Sequence, residues 1–243
     1  DSEPTGDVVV TAVSADTTEG TASPASLTFT SVNWATPQTV TLTGVNDSVD
    51  DGNITYSITL ATDDTATLDA LYDSVDPADP SLSNTDNDTA GITVSTISGS
   101  TTEAAGTATF TVVLDSQPTA NVSIGISSSD TTEGTVSAST LTFTSGNWNT
   151  PQTVTVTGVN DSVDDGNIAY TITTAAATST DGSYSGLNAS DVSVTNTDDD
   201  TSGVTVGAVS GNTTEAGVTA TFTVVLDSEP TGDVVVTAVS ADT

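Results

Sequence analysis

The residues best suited to chemistry in this 243-residue chain are aspartates that cluster in short segments. Residues 160–167 read Asn-Asp-Ser-Val-Asp-Asp-Gly-Asn, and the same eight letters recur at 46–53. A second acidic run, Asp198 to Asp200, follows the later copy. Carboxylates crowded in this way repel one another unless water, salt or a metal ion relieves the charge. They are also the oxygen ligands that Ca²⁺ prefers. The two copies therefore predict recurring cation sites.

No side chain of the chain itself can neutralise these carboxylates. The sequence contains 33 Asp and Glu residues and no Lys, Arg or His, which gives a formal net charge of −33. This charge repels nucleic acid, phosphate ligands and anionic membranes, so we exclude them as partners. A divalent cation is the partner to expect. The alternative is that the acidity only keeps the surface solvated, as in salt-adapted proteins.

The composition also argues against an enzyme. Without His, Cys, Lys or Arg there is no ordinary base for a Ser nucleophile, no thiolate and no group to hold a phosphoryl. Carboxylate-pair chemistry remains open, but the acidic segments recur in each repeat and lack aromatic neighbours. An EF-hand starting at Asp47 fails because Val49 occupies its third position and Ile58 its twelfth. Asp86-Asn87-Asp88 is similar to a cadherin linker, which stays a minor alternative.

The acidic segments belong to a repeat of about 113 residues. Trp34 recurs as Trp148, and residues 1–17 reappear unchanged as 227–243. We therefore expect the chain to be part of a longer array of modules. The predicted modules are 1–88, which lacks its opening strands, 89–200, which is complete, and 201–243, which holds the opening strands of a third.

Alternating apolar residues predict an all-β fold. In residues 107–114, for example, Ala108, Phe110, Val112 and Leu114 share one face of a strand. Seven short strands in one module favour tandem immunoglobulin-like antiparallel β-sandwiches in a linear array. A parallel β-solenoid has much shorter repeats. The predicted strands of the complete module are 91–94, 107–114, 121–127, 141–144, 152–158, 168–174 and 191–196.

The order of the acidic segments resembles that of the Calx-β domain. Glu103 lies near the module start, the loop 161–165 precedes Asn-Ile-Ala-Tyr, and Asp198 to Asp200 precede Ser-Gly-Val-Thr-Val. The phrases at 130–136 and 147–154 are similar to the tandem bacterial form. The family occurs in sodium–calcium exchangers, integrin β4 and bacterial surface proteins. Several members bind Ca²⁺ at one end of a seven-stranded sandwich, so the resemblance implies calcium sites at the module ends.

The resemblance carries the calcium ligands over to matching positions of each module. In the complete module these are Glu103, Asp161 together with Asp164 or Asp165, and Asp198, Asp199 and Asp200, with Glu133 as a further acidic candidate. In the first module they are Glu19, Asp47, Asp50, Asp51, Asp86 and Asp88, and in the third Glu215. Asn46 and Asn160 stand where the family usually has an acidic residue, and Asn87 interrupts the terminal acidic run of the first module, which leaves the number of ions per module open.

These features indicate a Ca²⁺-stiffened repeat region of a secreted or cell-surface bacterial adhesin or fibre. Neighbouring modules are the expected partners, and a glycan or surface receptor would bind outside this chain. No apolar run approaches the roughly 18 residues of a membrane span. One alternative is a filament or surface-layer subunit whose identical chains assemble. Another is a Ca²⁺-dependent glycan-binding module that stacks sugars on Trp34 and Trp148, although capping of each core is the better interpretation of these residues.

Overall fold

The protein is described by a computed structural model over residues 2–241. All the secondary-structure elements assigned in this range are β-strands, which confirms the all-β prediction. No helix among these residues is long and apolar enough to cross a membrane. The chain divides into two compact units between Thr89 and Ala90. Asp1, Asp242 and Thr243, at the ends of the predicted first and third modules, lie outside the described residues.

The first unit contains two antiparallel sheets and a small core. One sheet has the order β3-β1-β5-β6, and the other pairs β2 with β4. Period-2 alternation turns Tyr56 and Ile58 of β5 inward, and they form the buried cluster with Ala12. The strands are β1 Val8–Ser14, β2 Gly20–Ser23, β3 Ser26–Phe29, β4 Thr41–Gly44, β5 Ile54–Thr62 and β6 Ser81–Asn84.

The second unit contains a β-sandwich made of two larger sheets. One has the order β12-β10-β14-β15-β8 and the other β11-β13-β9-β7. All its strand pairs are antiparallel except that of β8 with β15. The strands are β7 Ile92–Val94, β8 Thr101–Thr102, β9 Thr107–Leu114, β10 Val122–Ser128, β11 Gly134–Val136, β12 Thr140–Phe143, β13 Gln152–Gly158, β14 Ile168–Thr174 and β15 Val192–Thr197.

Both sheets of this sandwich contribute to one core. Phe110 and Val154 from one sheet and Ile124, Phe143 and Ile172 from the other belong to the same buried cluster. Each sits at an inward position of an alternating strand, as in β9, where every second residue is buried. Burial of these apolar side chains is the main stabilising contribution to the fold.

Nine strands, rather than the predicted seven, make up this sandwich. All seven predicted segments are strands, and β8 and β11 are additional. These two strands contain two and three residues, too few for alternation to be visible in the sequence. They are nevertheless important, because β8 leads directly into Glu103 and β11 directly follows Glu133.

The remaining described residues, up to 241, add two short strands to the second unit. β16 Val204–Val206 pairs antiparallel with β17 Val224–Leu226, so that Val204 lies opposite Leu226. The side chains of β16 and most of those of β17 are exposed. This hairpin therefore has strand pairing without a core.

Candidate metal centre

Strand pairing brings four acidic segments to one end of the sandwich. The acidic loop 160–167 joins β13 to β14, and Asp198 follows the end of β15. Because β8 runs parallel to β15, Glu103 leaves the sheet beside Asp198. Glu133 lies beside Val159, whose N–H donates to the Glu133 carbonyl at 3.0 Å. Side chains far apart in the sequence thus meet at the strand ends.

Five of these carboxylates form two triads with one shared member. Oxygens of Glu103, Asp161 and Asp200 lie within 4.8 Å of one another, and so do oxygens of Glu133, Asp161 and Asp165. Each triad could hold a metal ion. Asp161 belongs to both, which places the two candidate sites side by side.

Burial of the two glutamates makes their charge costly. Glu103 is 3% exposed and Glu133 is 7% exposed. Burial and the charges of nearby aspartates, among them Asp161, raise the pKa of both side chains. Burial and neighbouring aspartates also raise the pKa of Asp200. A cation bound between them would reverse this effect, since it favours the charged form of every ligand.

Another buried carboxylate in the same sandwich shows the contrasting case. Asp181 is also 7% exposed, but it accepts hydrogen bonds from the N–H groups of Thr119 at 2.7 Å and Ser183 at 2.9 Å. These bonds outweigh burial and hold the pKa of Asp181 below its usual value. Asp181 is therefore stabilised by the backbone. The triads, in contrast, concentrate carboxylates in a chain without cationic side chains.

A buried hydrogen-bond network behind the triads positions Glu133. The side-chain amide of Asn196 donates to Glu133 Oε2 at 3.3 Å and to the Val159 carbonyl at 3.0 Å. Thr101 donates to Asn196 Oδ1 at 3.0 Å and lies 3.1 Å from the Tyr170 hydroxyl. Sequence reasoning missed Asn196 and Thr101. The available signal was Asn196 itself, a polar residue in register with the inward-facing valines of β15.

The other predicted ligands of this module lie outside the two triads. Asp198 accepts the N–H groups of Gly166 at 2.7 Å and Asp200 at 2.8 Å, and so shapes both acidic segments. Asp164 accepts the Ser202 N–H at 2.7 Å, and this bond lowers its pKa. Asp199 is exposed, and its N–H donates to Glu103 at 3.3 Å.

The first unit repeats one of the two triads. Oxygens of Glu19, Asp47 and Asp51 lie within 4.8 Å of one another, at the positions that correspond to Glu133, Asp161 and Asp165. Burial and the charge of Asp47 raise the pKa of Asp51. Asn84, the counterpart of Asn196, donates to Glu19 at 3.3 Å.

The acidic pocket of the first unit extends beyond this triad. It has a volume of about 190 Å³, and Asp86 and Asp88 also line it. Asp86 accepts the N–H groups of Gly52 and Asp88, each at 2.8 Å. Asp50 is outside the triad, and so is Glu215, which is exposed in the second unit.

The two acidic loops have the same backbone turn. Gly52 and Gly166 both have φ of +77°, a conformation that glycine adopts without the steric cost of a Cβ. The repeated eight-letter sequence therefore gives the same local structure in both units. What differs is the set of carboxylates that other strands bring to the loop.

No protein-family model matches the chain, and no curated protein matches it either.

Proposed function

We propose that this chain is a calcium-binding structural repeat region, in which Ca²⁺ at the module ends stiffens tandem Calx-β-like, immunoglobulin-like sandwiches. The observation that carries the proposal is the convergence of buried Glu103 and Glu133 on Asp161, in a chain without any cationic side chain. An external cation is the simplest partner for such a set of carboxylates.

The chemistry of the ligands favours Ca²⁺ among the common metals. The chain has no His or Cys, so it lacks the nitrogen and sulfur ligands that zinc and copper sites use. Three carboxylates offer up to about six oxygens, and carbonyls or water complete a calcium shell of roughly 6 to 8. Mg²⁺ demands near-ideal octahedral geometry and usually keeps several waters, so it fits a crowded carboxylate site less well.

The contacts of the acidic loop with residues 201–241 support a mechanical role. Asp164 accepts the Ser202 N–H at 2.7 Å, and the Glu229 N–H donates to the Ser162 carbonyl at 2.6 Å. An ion bound to Asp161 and Asp165 would fix the loop that makes both contacts. Removal of the ion should therefore loosen the connection between the sandwich and residues 201–241 before it unfolds the apolar core.

An extracellular location and a bacterial adhesin or fibre are the setting that this function fits best. Extracellular modules bind Ca²⁺ with dissociation constants of about 10⁻⁴ to 10⁻³ M, which suits the calcium concentration outside cells. Repetition of the triad in both units supports a structural task rather than catalysis, because a single active site needs no second copy. A distal partner would then bind elsewhere in the parent protein.

Calorimetric titration of the whole chain with Ca²⁺ tests the proposal. We expect three bound ions, one for each triad, and a higher melting temperature in calcium. Glu103→Gln should remove one ion, and Glu19→Gln should remove the ion of the first unit. Asp76→Asn, which removes the same charge from an exposed position, should leave the number of ions unchanged. Absence of binding heat, together with identical melting in calcium and in chelator, would overturn the proposal.

A further inference from the structure

The chain contains three Asp-Gly peptide bonds, and two of them lie in the acidic loops. They are Asp51-Gly52, Asp165-Gly166 and Asp181-Gly182. At an Asp-Gly bond the backbone nitrogen of the glycine can attack the aspartate side chain and close a cyclic imide, because glycine has no Cβ to obstruct the approach. The three bonds share this intrinsic reactivity. Their surroundings therefore decide which of them reacts.

The two bonds of the acidic loops are open to solvent. Asp51, Gly52, Asp165 and Gly166 are all exposed. A Cβ built on either glycine would meet no atom within 4 Å, so the ring has space to form. Both loops present the bond in the same way, since both glycines have φ of +77°.

In each acidic loop, a carboxylate from another segment accepts the N–H of the attacking nitrogen. Gly166 donates to Asp198 Oδ2 at 2.7 Å, and Gly52 donates to Asp86 Oδ2 at 2.8 Å. The nitrogen must lose this proton as it bonds to the side-chain carbon, and a base at hydrogen-bond distance is in position to accept it. The N–H lies in the peptide plane, whereas the nitrogen attacks through the face of that plane, so the two contacts do not interfere.

The third bond, Asp181-Gly182, is protected by its surroundings. Asp181 is 7% exposed, and both of its carboxylate oxygens are occupied. One accepts the Thr119 N–H at 2.7 Å and the other the Ser183 N–H at 2.9 Å. These hydrogen bonds oppose the rotation that would bring the carboxyl carbon to the Gly182 nitrogen. Asp181 is therefore an internal control for the two loops.

We propose that Asp51-Gly52 and Asp165-Gly166 close to succinimides when the loops hold no cation, and that hydrolysis converts part of each aspartate to isoaspartate. The glycine nitrogen bonds to Cγ of the aspartate, and its proton passes to Asp86 or Asp198. A carboxyl oxygen leaves as water with this proton and one from the solvent. Water then adds at either ring carbonyl, which returns one proton to the nitrogen and one to the solvent. Addition at Cγ restores aspartate, and addition at the backbone carbonyl gives isoaspartate.

Isoaspartate would disable an acidic loop as a metal site. The main chain then runs through the former side chain and gains one carbon atom, so the free carboxylate changes position. Asp165 shares its triad with Glu133 and Asp161, and Asp51 has the equivalent place in the first unit. The modification therefore removes this triad from the loop in which it occurs.

Protection by a cation is the part of this inference that rests on the function proposed above. An ion bound by the carboxylate of Asp51 or Asp165 holds both the side chain and the loop. The carboxyl carbon is then kept away from the glycine nitrogen, as the backbone N–H groups keep that of Asp181. Chains stored in Ca²⁺ should retain their loops, whereas cation-free chains should lose them with time.

Incubation of the whole chain in water enriched in a heavy oxygen isotope tests the proposal, because each passage through the imide places one solvent oxygen in the aspartate. Two samples at neutral pH, one in chelator and one in Ca²⁺, are digested with chymotrypsin and mapped by mass spectrometry. The two loops give different peptides, since Ile-Thr-Tyr follows Asn53 and Ile-Ala-Tyr follows Asn167.

In chelator we expect Asp51 and Asp165 to take up heavy oxygen at least about tenfold faster than Asp181, as suits a nitrogen with a positioned base. Isoaspartate should accumulate at the same two residues. Ca²⁺ should lower uptake in both loops toward that of Asp181. Equal uptake at all three aspartates in chelator overturns the proposal.

Two variants, both measured in chelator, test the bases and control each other. Asp198→Asn keeps an oxygen that can accept the Gly166 N–H but removes the base. Uptake at Asp165 should fall by about a hundredfold, the lower end of what a positioned base contributes, with Asp51 unchanged. Asp86→Asn should do the reverse. Uptake that stays the same in both variants overturns the roles of Asp86 and Asp198.

The outcomes also separate the modification from the metal. If the chain binds no Ca²⁺ while Asp51 and Asp165 still take up oxygen faster than Asp181, the proposed function fails and the modification stands. If the chain binds Ca²⁺ but the three aspartates exchange at one rate in chelator, the modification fails and the function stands. Binding of Ca²⁺ without any slowing in the loops would contradict the protection.

Discussion

Phe110 and Phe222 lie at the same place in an identical octapeptide, yet only Phe110 is buried. Around Phe110, β9 pairs with β13 and faces the second sheet, whereas β17, which begins two residues after Phe222, pairs with β16 alone among the described residues. The identical octapeptide is a strand over all eight residues at Thr107–Leu114 but only over its last three at Val224–Leu226, so even the extent of the strand depends on its partners. Burial, which provides most of the stability, depends on what that face meets. The two copies thus separate local preference from tertiary packing within one chain.

The two acidic loops provide a second comparison of the same kind. Both have the same eight residues and the same glycine turn, but the loop of the second unit takes part in two triads and that of the first in one. The additional triad needs Glu103, which β8 positions, and no described strand of the first unit corresponds to β8. The number of candidate metal sites at each loop therefore depends on the surrounding strands rather than on the loop itself.

Truncation of the two phenylalanines should give the largest difference between the copies. Phe110→Ala leaves a cavity in a packed core and should lower the free energy of unfolding of the second unit by about 3–5 kcal/mol. Phe222→Ala should change it by less than about 0.5 kcal/mol when the chain is monomeric, as is typical of exposed positions. Chemical denaturation at low chain concentration, followed by Trp148 fluorescence, measures both. Equal costs would show that the octapeptide at 219–226 is packed.

Loss of the asparagine side-chain amide that donates to the glutamate of a triad should lower the free energy of unfolding by a smaller amount. This amount should again differ between the two units. Asn196→Ala removes the donor to Glu133 and to the Val159 carbonyl in a buried setting, which should cost about 1–3 kcal/mol. Asn84→Ala, its matched control in the first unit, should cost less, because Asn84 is only partly buried. Calcium affinity should fall in each variant for the triad that contains the glutamate. A larger loss for Asn84→Ala would contradict this order.

The sequence predicts local features, such as a strand, better than contacts between residues that are far apart in the chain. Alternation at Ala108, Phe110 and Val112 predicts a strand at 107–114, because a strand with one buried face has period 2, although the same alternation at 219–226 gives a strand only over Val224–Leu226. It could not predict that Asp161 belongs to two triads, since this depends on the parallel pairing of β8 with β15. Nor could it predict that Phe222 is exposed, because its octapeptide is identical to that of Phe110.

Dependence of stability on pH should show the smallest effect, and its sign is unusual. Burial and neighbouring carboxylates raise the pKa of Glu103 and Glu133 above the ordinary value of 4.5. The folded state of the cation-free chain therefore binds more protons than the unfolded state just above that pH. Its stability should rise as the pH falls from about 7 into that window. Asp130, Asp164 and Asp181 have lowered pKa values, so their stabilising contribution is lost only as the pH falls below 3.8.

The test compares thermal melts of two samples across this pH range. One is chelator-treated and dialysed protein, and the other is calcium-saturated protein. The cation-free chain should melt at its highest temperature in mild acid, where the glutamates are protonated and the hydrogen-bonded aspartates are still charged. The calcium-bound chain should lose stability over the same range, because protons compete with the ion for the same oxygens. Glu103→Gln with Glu133→Gln should remove the gain in mild acid, whereas Asp76→Asn should retain it. The melting temperature of the cation-free chain could instead fall steadily as the pH is lowered from neutral. This result would mean that the charged forms of these glutamates do not destabilise the fold, and that the contrast between the triads and Asp181 does not hold.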